Sequence, residues 1–199
     1  MTAIDVRDGR SARSVRTRRA VVEALLDLIE QGDLRPTARL IAERAGVSQR
    51  SVYVHFDDLE DLFAEASKLH LERVVANLEM VDSGLPLETR IAKLAEQAAR
   101  TLEATLAVRR AASIQEPFSP TLAKTLDRTR RAARTSIERI FATELAVLDP
   151  PTRRRRTAAL VVATASYTWE TLRLHQQLDV DAAQSVVADL LTAMIDLEQ

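Results

Sequence analysis

Gln49, Arg50, Ser51, Tyr53 and His55 bring an amide, a guanidinium, a hydroxyl, a phenol and an imidazole to one short stretch of chain. This set suits the edges of bases and the oxygens of phosphates. The stretch reads as a short helix with Ser48 as its cap. Val52 and Phe56, spaced i,i+4, turn inward and leave the polar groups outside. Just before it, Thr37 is a good N-cap for another short helix. Leu40, Ile41 and Ala45 share one face of that helix. Gly46 stops it, because glycine takes the left-handed conformation without a Cβ clash. Two short helices around a tight turn follow helix-turn-helix logic: the first supports and the second enters the major groove.

A chain of 199 residues holds one or two compact domains, and 46% hydrophobic residues can build a core. Gly (4) and Pro (6) are scarce, aromatics make up 4%, and no alternating β-branched run is sustained. The chain therefore reads as all-α. With no cysteine, a disulfide framework and a thiolate metal site are excluded. No apolar stretch approaches a membrane span and the N-terminus is no signal peptide, so the expected location is cytoplasmic, with no membrane partner.

The net charge of −1 conceals an imbalance, +3 over residues 1–56 and −4 over the remainder. Arg7, Arg10, Arg13, Arg16, Arg18 and Arg19 crowd the N-terminus. For residues 1–12 a solvated tail and a DNA-attracting arm are both open. For residues 13–19 proximity to DNA is the favoured reading, since a helix begins there.

That first helix is expected from about Ser14 to Gln31, with Val21, Leu25 and Ile29 inside and Gly32 at its end. Asp58 and Asp61, at capping-box spacing, open a fourth helix buried through Leu62, Ala66, Leu69, Val74 and Leu78. Further helices are expected over about 86–106, a short piece from 107, 119–145, 152–178 and 181–197. The breaks fall at Ser83–Pro86, Glu116–Pro120 and Asp149–Pro151. The last helix has a wide apolar stripe, including Leu191 and Ile195. This points to a homodimer face, against the alternative that the stripe is spent on the internal core.

Other constellations carry less. His55, His70 and His175 have no ligand-like spacing, so neither metal nor cofactor is expected. No phosphate loop or nucleophile elbow is present. Arg153-Arg154-Arg155-Arg156 reads as a solvated face pairing with acids, or as a second nucleic-acid patch. Trp169 lies among Tyr167, Glu170 and Arg173. With Phe118 and Phe141 as further apolar lining, these could wall an effector pocket. Glu170, Arg173 or His175 would supply its polar contacts. Ordinary core packing is the competing reading.

Over about Thr17 to Ala66 the chain resembles the tetracycline-repressor (TetR) family of bacterial transcriptional regulators. The motifs are T-A-R-L-I-A-E-R-A-G-V-S, then S-V-Y-V-H-F and an acid-capped helix. The resemblance implies a three-helix DNA-binding head, residues 1–60, and a helical ligand-binding and dimerisation domain, residues 61–199. It implies a homodimer on double-stranded operator DNA, released by a small-molecule effector. Thr37 and Tyr53 match phosphate-contacting positions, and His55 a backbone-contacting one. Arg39, Gln49, Arg50 and Ser51 match positions that reach bases. Two places depart from the pattern. Asp33-Leu34 stands where many relatives have an aromatic residue. Asp57-Asp58-Leu59-Glu60-Asp61 stands where many have a lysine, which should weaken non-specific affinity. The chain is therefore expected to be a non-enzymatic repressor responding to a largely apolar effector. A small-molecule-binding protein or enzyme with a degenerate head, and an activator on the same fold, are the alternatives.

Overall fold

A computed structural model describes the backbone of residues 4–76 and 78–196, and the side chains of 12–76 and 78–196. The helices are α1 (Ile4–Glu30), α2 (Ala38–Ala45), α3 (Gln49–His55), α4 (Leu59–Val75), α5 (Leu87–Gln115), α6 (Pro120–Ile140), α7 (Ala142–Ala146), α8 (Pro150–Ala163), α9 (Ser166–Glu170) and α10 (Val180–Asp196). A 3-10 turn, Glu116–Phe118, follows α5, and a π-helical turn, Thr171–His175, follows α9. Among the described residues there is no strand, so the all-α expectation holds.

The chain divides into two compact units. The first comprises residues 1–73 and 107–125, the second 74–106 and 126–199. In the first, Leu25 and Ile29 of α1, Ile41 of α2, Val52 of α3, Phe56 at the end of α3, and Leu62 of α4 are all but inaccessible and share one core. Burying each such side chain contributes about 1.5–3 kcal/mol, far more than the weak helix propensity of α2 and α3. Val108 and Ala111 of α5 complete that core. In α4, Leu62 and Ala66 are buried as expected, whereas Leu78 lies beyond the helix and is exposed.

The second unit is built around Leu94, Ile140, Phe141, Leu160, Trp169 and Leu191. A buried ion pair runs through it. Arg90 of α5 donates to both carboxylate oxygens of Glu144 on α7, at 2.9 and 2.6 Å. It also donates to the carbonyls of Leu85 (2.9 Å) and Ile140 (2.5 Å). The Arg90 hydrogen bonds hold the Glu144 carboxyl below the ordinary glutamate range.

Several boundaries differ from expectation. α1 starts at Ile4, not near Ser14, because no proline lies upstream to stop it and Ala and Arg extend it readily. The side chains of Arg7 and Arg10 lie outside the described residues, as does Leu197. α5 is continuous across Leu106–Ala107, having no Gly or Pro until Pro117. The helix expected over 119–145 divides at Phe141, whose backbone leaves the helical region (φ −108°, ψ 27°) as its ring enters the core. The one expected over 152–178 divides at Ala165, which is extended (φ −77°, ψ 151°). The Thr164 hydroxyl donates to the Leu160 carbonyl at 3.3 Å there, a local competitor to the helical ladder.

Two further expectations need correction. Leu191 is fully buried with Ala183 and Val187, so the inner face of α10 is spent on its own unit's core. A charge at Leu191 would break that core and report nothing about an interface. Within the arginine run at 153–156, Arg156 departs from the expected solvated face: it is buried, whereas Arg153, Arg154 and Arg155 are exposed. Arg153 donates to Leu145 (2.8 Å), Ala146 and Leu148 (both 3.0 Å), and Arg156 donates to Ile195 (2.8 Å).

Candidate nucleic-acid interface

Local chemistry fixes the two short helices. Thr37 is extended, and its hydroxyl accepts from the Leu40 amide at 3.3 Å, starting α2. Gly46 is left-handed (φ 66°), and the Val47 amide donates back to the Ala42 carbonyl at 3.0 Å. Ser48 accepts from the Ser51 amide at 3.1 Å, starting α3. A Cβ at position 46 would meet open space, so only its backbone angle resists substitution. Gly46→Ala should therefore cost about 1–2 kcal/mol, from left-handed strain alone. Thermal unfolding checks this, and an unchanged midpoint would contradict it.

Val52 and Phe56 pin α3 from below, and its upper face is open. Gln49 and Arg50 are exposed and untied among the described residues, and Tyr53 is 48% exposed. These are free donors and acceptors on a helix narrow enough for the major groove. Ser51 lies 2.9 Å, Oγ to Oγ, from Ser48, and His55 is half-buried. Arg39 on α2 pairs with Glu43 at 3.2 Å, an exposed i,i+4 contact that holds it only weakly. Val54, passed over in the sequence, is 71% exposed on α3. An exposed methyl pair there can meet a thymine methyl.

The basic run upstream divides. Arg13 and Arg16 are exposed. Arg19 lies 3.5 Å from Glu23, and Arg73 of α4 donates to the same carboxylate at 2.9 Å. Those hydrogen bonds, Arg73's first, depress the Glu23 pKa. Arg18, in the run expected to lie near DNA, is tied within the head. It donates to the His55 carbonyl, lies 4.2 Å above the Phe56 ring, and stands 3.6 Å from Glu65. Of the acids after α3, Asp58 caps α4, accepting from the Asp61 amide at 2.8 Å.

The residues considered for an effector pocket separate. Phe118, in the first unit, is 65% exposed, and Tyr167, in the second, is 62% exposed. Phe141 and Trp169 are buried in the second core, and Glu170 is half-buried. Trp169 and Arg173 converge on Glu103, which stands in no motif of the chain. Trp169 Nε1 donates at 2.8 Å, and Arg173 Nε and an η nitrogen donate at 2.9 and 2.8 Å. Arg173's hydrogen bonds, and then Trp169's, hold the Glu103 carboxyl below its ordinary range. His175 is exposed. Among the described residues no group of three metal-ligating side chains forms, and no helix is long and apolar enough to cross a membrane.

Comparison with known proteins agrees with this geometry. Residues 21–66, which span α1 through the first half of α4, match the bacterial regulatory proteins of the tetR family. No curated protein gives a sequence match. In fold, the chain is similar to a transcriptional regulator from Rhodococcus sp. Rha1, with TM-score 0.68 and 19% identity over 92% of this chain and 95% of that one. It is also similar to a TetR transcription regulator from Haloarcula marismortui ATCC 43049, with TM-score 0.68 and 17% identity over 89% and 97%. Residues 21–66 thus carry the helix-turn-helix segment of the tetR family of bacterial regulatory proteins, on an all-helical fold similar to that of these solved regulators.

Proposed function

We propose that this DNA-binding regulator is a homodimeric repressor, released from a palindromic operator by a small, largely apolar effector. The observation that carries the reading is the face of α3: Gln49 and Arg50 exposed and untied above a floor of Val52 and Phe56. In this reading Arg39, Gln49, Arg50 and Ser51 meet bases, while Thr37, Tyr53 and His55 position the head on phosphates. Residues 1–60 are the DNA-binding part, and residues 61–199 bind the effector and dimerise. Release requires that the effector bind the non-binding conformation more tightly. Phe141, Tyr167, Trp169, Glu170 and Arg173, all of the second unit, remain the proposed effector contacts. The Glu103–Arg173 pair is where an effector's polar end would compete.

The dimer face is proposed on α8 and α10, where Val162 is 61% exposed and Leu190 and Met194 are half-buried. Exposed apolar side chains of this kind commonly mark an interface. Val162→Glu places a charge there without entering the core. Sedimentation should show a folded monomer at concentrations where the parent chain is a dimer. A Val162→Glu dimer of unaltered affinity would move the interface elsewhere. Operator release is tested by titrating apolar and polar metabolites against the protein–DNA complex while following Trp169 fluorescence. Release by a strongly hydrophilic metabolite, with no fluorescence change, would overturn both the ligand class and its location.

A further inference from the structure

The fold ties Arg18 of α1 at three points. Its guanidinium donates to the carbonyl of His55, the last residue of α3. It lies 4.2 Å above the ring of Phe56, the residue that ends the helix. It stands 3.6 Å from the carboxylate of Glu65 on α4. A planar guanidinium can satisfy all three at once, with its face to the ring and its edges to the two oxygens; an ammonium cannot.

α3 has 7 residues, too few to persist as an independent helix, so side chains around it must set its direction. Ser48 fastens its start, and Val52 and Phe56 its floor. Its last carbonyls have no helical donor. Arg18 supplies one from α1 and is itself held by α4. We infer that Arg18 is a positioning residue, which sets the angle at which α3 offers Gln49 and Arg50 to the bases. It belongs by sequence to the basic run that faces phosphate, but its donors are turned toward α3 and α4. The inference rests on the reading of α3 as the base-reading helix.

Bidentate base contacts weaken steeply when their geometry is disturbed, whereas attraction to phosphate does not. Loss of Arg18 should therefore reduce specific binding selectively. The probes are the duplex that the parent protein selects from a random library, and a scrambled duplex of equal length. Arg18→Met should lose roughly tenfold or more on the selected duplex, the scale of one base contact. Binding to the scrambled duplex and the slope of log affinity against log salt should stay essentially unchanged. Arg18→Lys keeps the charge but not the fork, and should show most of the same loss. It also carries the test should Arg18→Met fail to fold.

If Arg18 instead contacts phosphate, both duplexes weaken together, the slope for Arg18→Met falls by about one, and Lys restores binding. If Arg18 only stabilises the head, the melting temperature falls while the ratio of selected to scrambled binding holds. Either result overturns the inference. Arg50→Ala separates the two levels. If it damages selected binding while Arg18→Met does not, the positioning role alone fails. If Arg50→Ala is also silent, the reading of α3 fails with it.

Discussion

Glu144→Ala should destabilise the second unit by about 3 kcal/mol, near the low end of the usual cost of orphaning a buried ion-pair partner. Arg90 is 5% exposed, and truncation leaves its charge with the Leu85 and Ile140 carbonyls and the Phe141 ring, 5.9 Å away. Those two bonds, and the 20% exposure of the Glu144 side chain, keep the figure at the low end. Urea unfolding at one fixed protein concentration reads the change, since dimerisation would contribute to apparent stability. A shift below about 1 kcal/mol would place the pair among surface ion pairs. The same pair predicts acid sensitivity. Because folding lowers the Glu144 pKa, its contribution is fully present above the unfolded value of about 4.3 and is lost as pH falls through the lower folded value. Glu103, depressed by Arg173, and Glu23, depressed by Arg73, act in the same direction.

Arg50→Ala carries the largest expected effect on recognition. A bidentate guanidinium–guanine contact is worth roughly 1–3 kcal/mol of discrimination, so preference should relax at one position of each half-site. Stability should hardly move, because Arg50 is exposed and makes no hydrogen bond or ion pair among the described residues. Tyr53→Phe should instead weaken all sequences alike, as expected for a group that positions the head. A variant of Arg50 that weakened every duplex equally would reassign it to phosphate.

The head was legible because its signals are local. Thr37, Gly46 and Ser48 act within a few residues of themselves, and the Val52–Phe56 spacing needs no knowledge of the partner. Helix ends at Phe141 and Ala165 were not legible, since no Gly or Pro marks them and tertiary packing decides where the backbone turns. Long-range polar partners were hidden for the same reason. Arg18 meets a carbonyl 37 residues away and reads in sequence as one more member of a basic run. Glu103 meets Trp169 66 residues away and Arg173 70 residues away, and nothing beside Glu103 hints at either. The stripe of α10 was visible, but periodicity cannot say which apolar residues face the chain's own core, and Leu191 does.

In the proposed function, α3 reads DNA sequence through Gln49 and Arg50. Binding-site selection from a random duplex library, run in parallel on the parent chain and on a Gln49→Ala, Arg50→Ala double variant, tests it most directly. One enriched motif is expected for the parent chain, and the same motif blurred at the contacted base pairs for the variant, with binding still falling as salt rises. Equal motifs at equal sharpness from both proteins, or no enrichment by the parent, would contradict it.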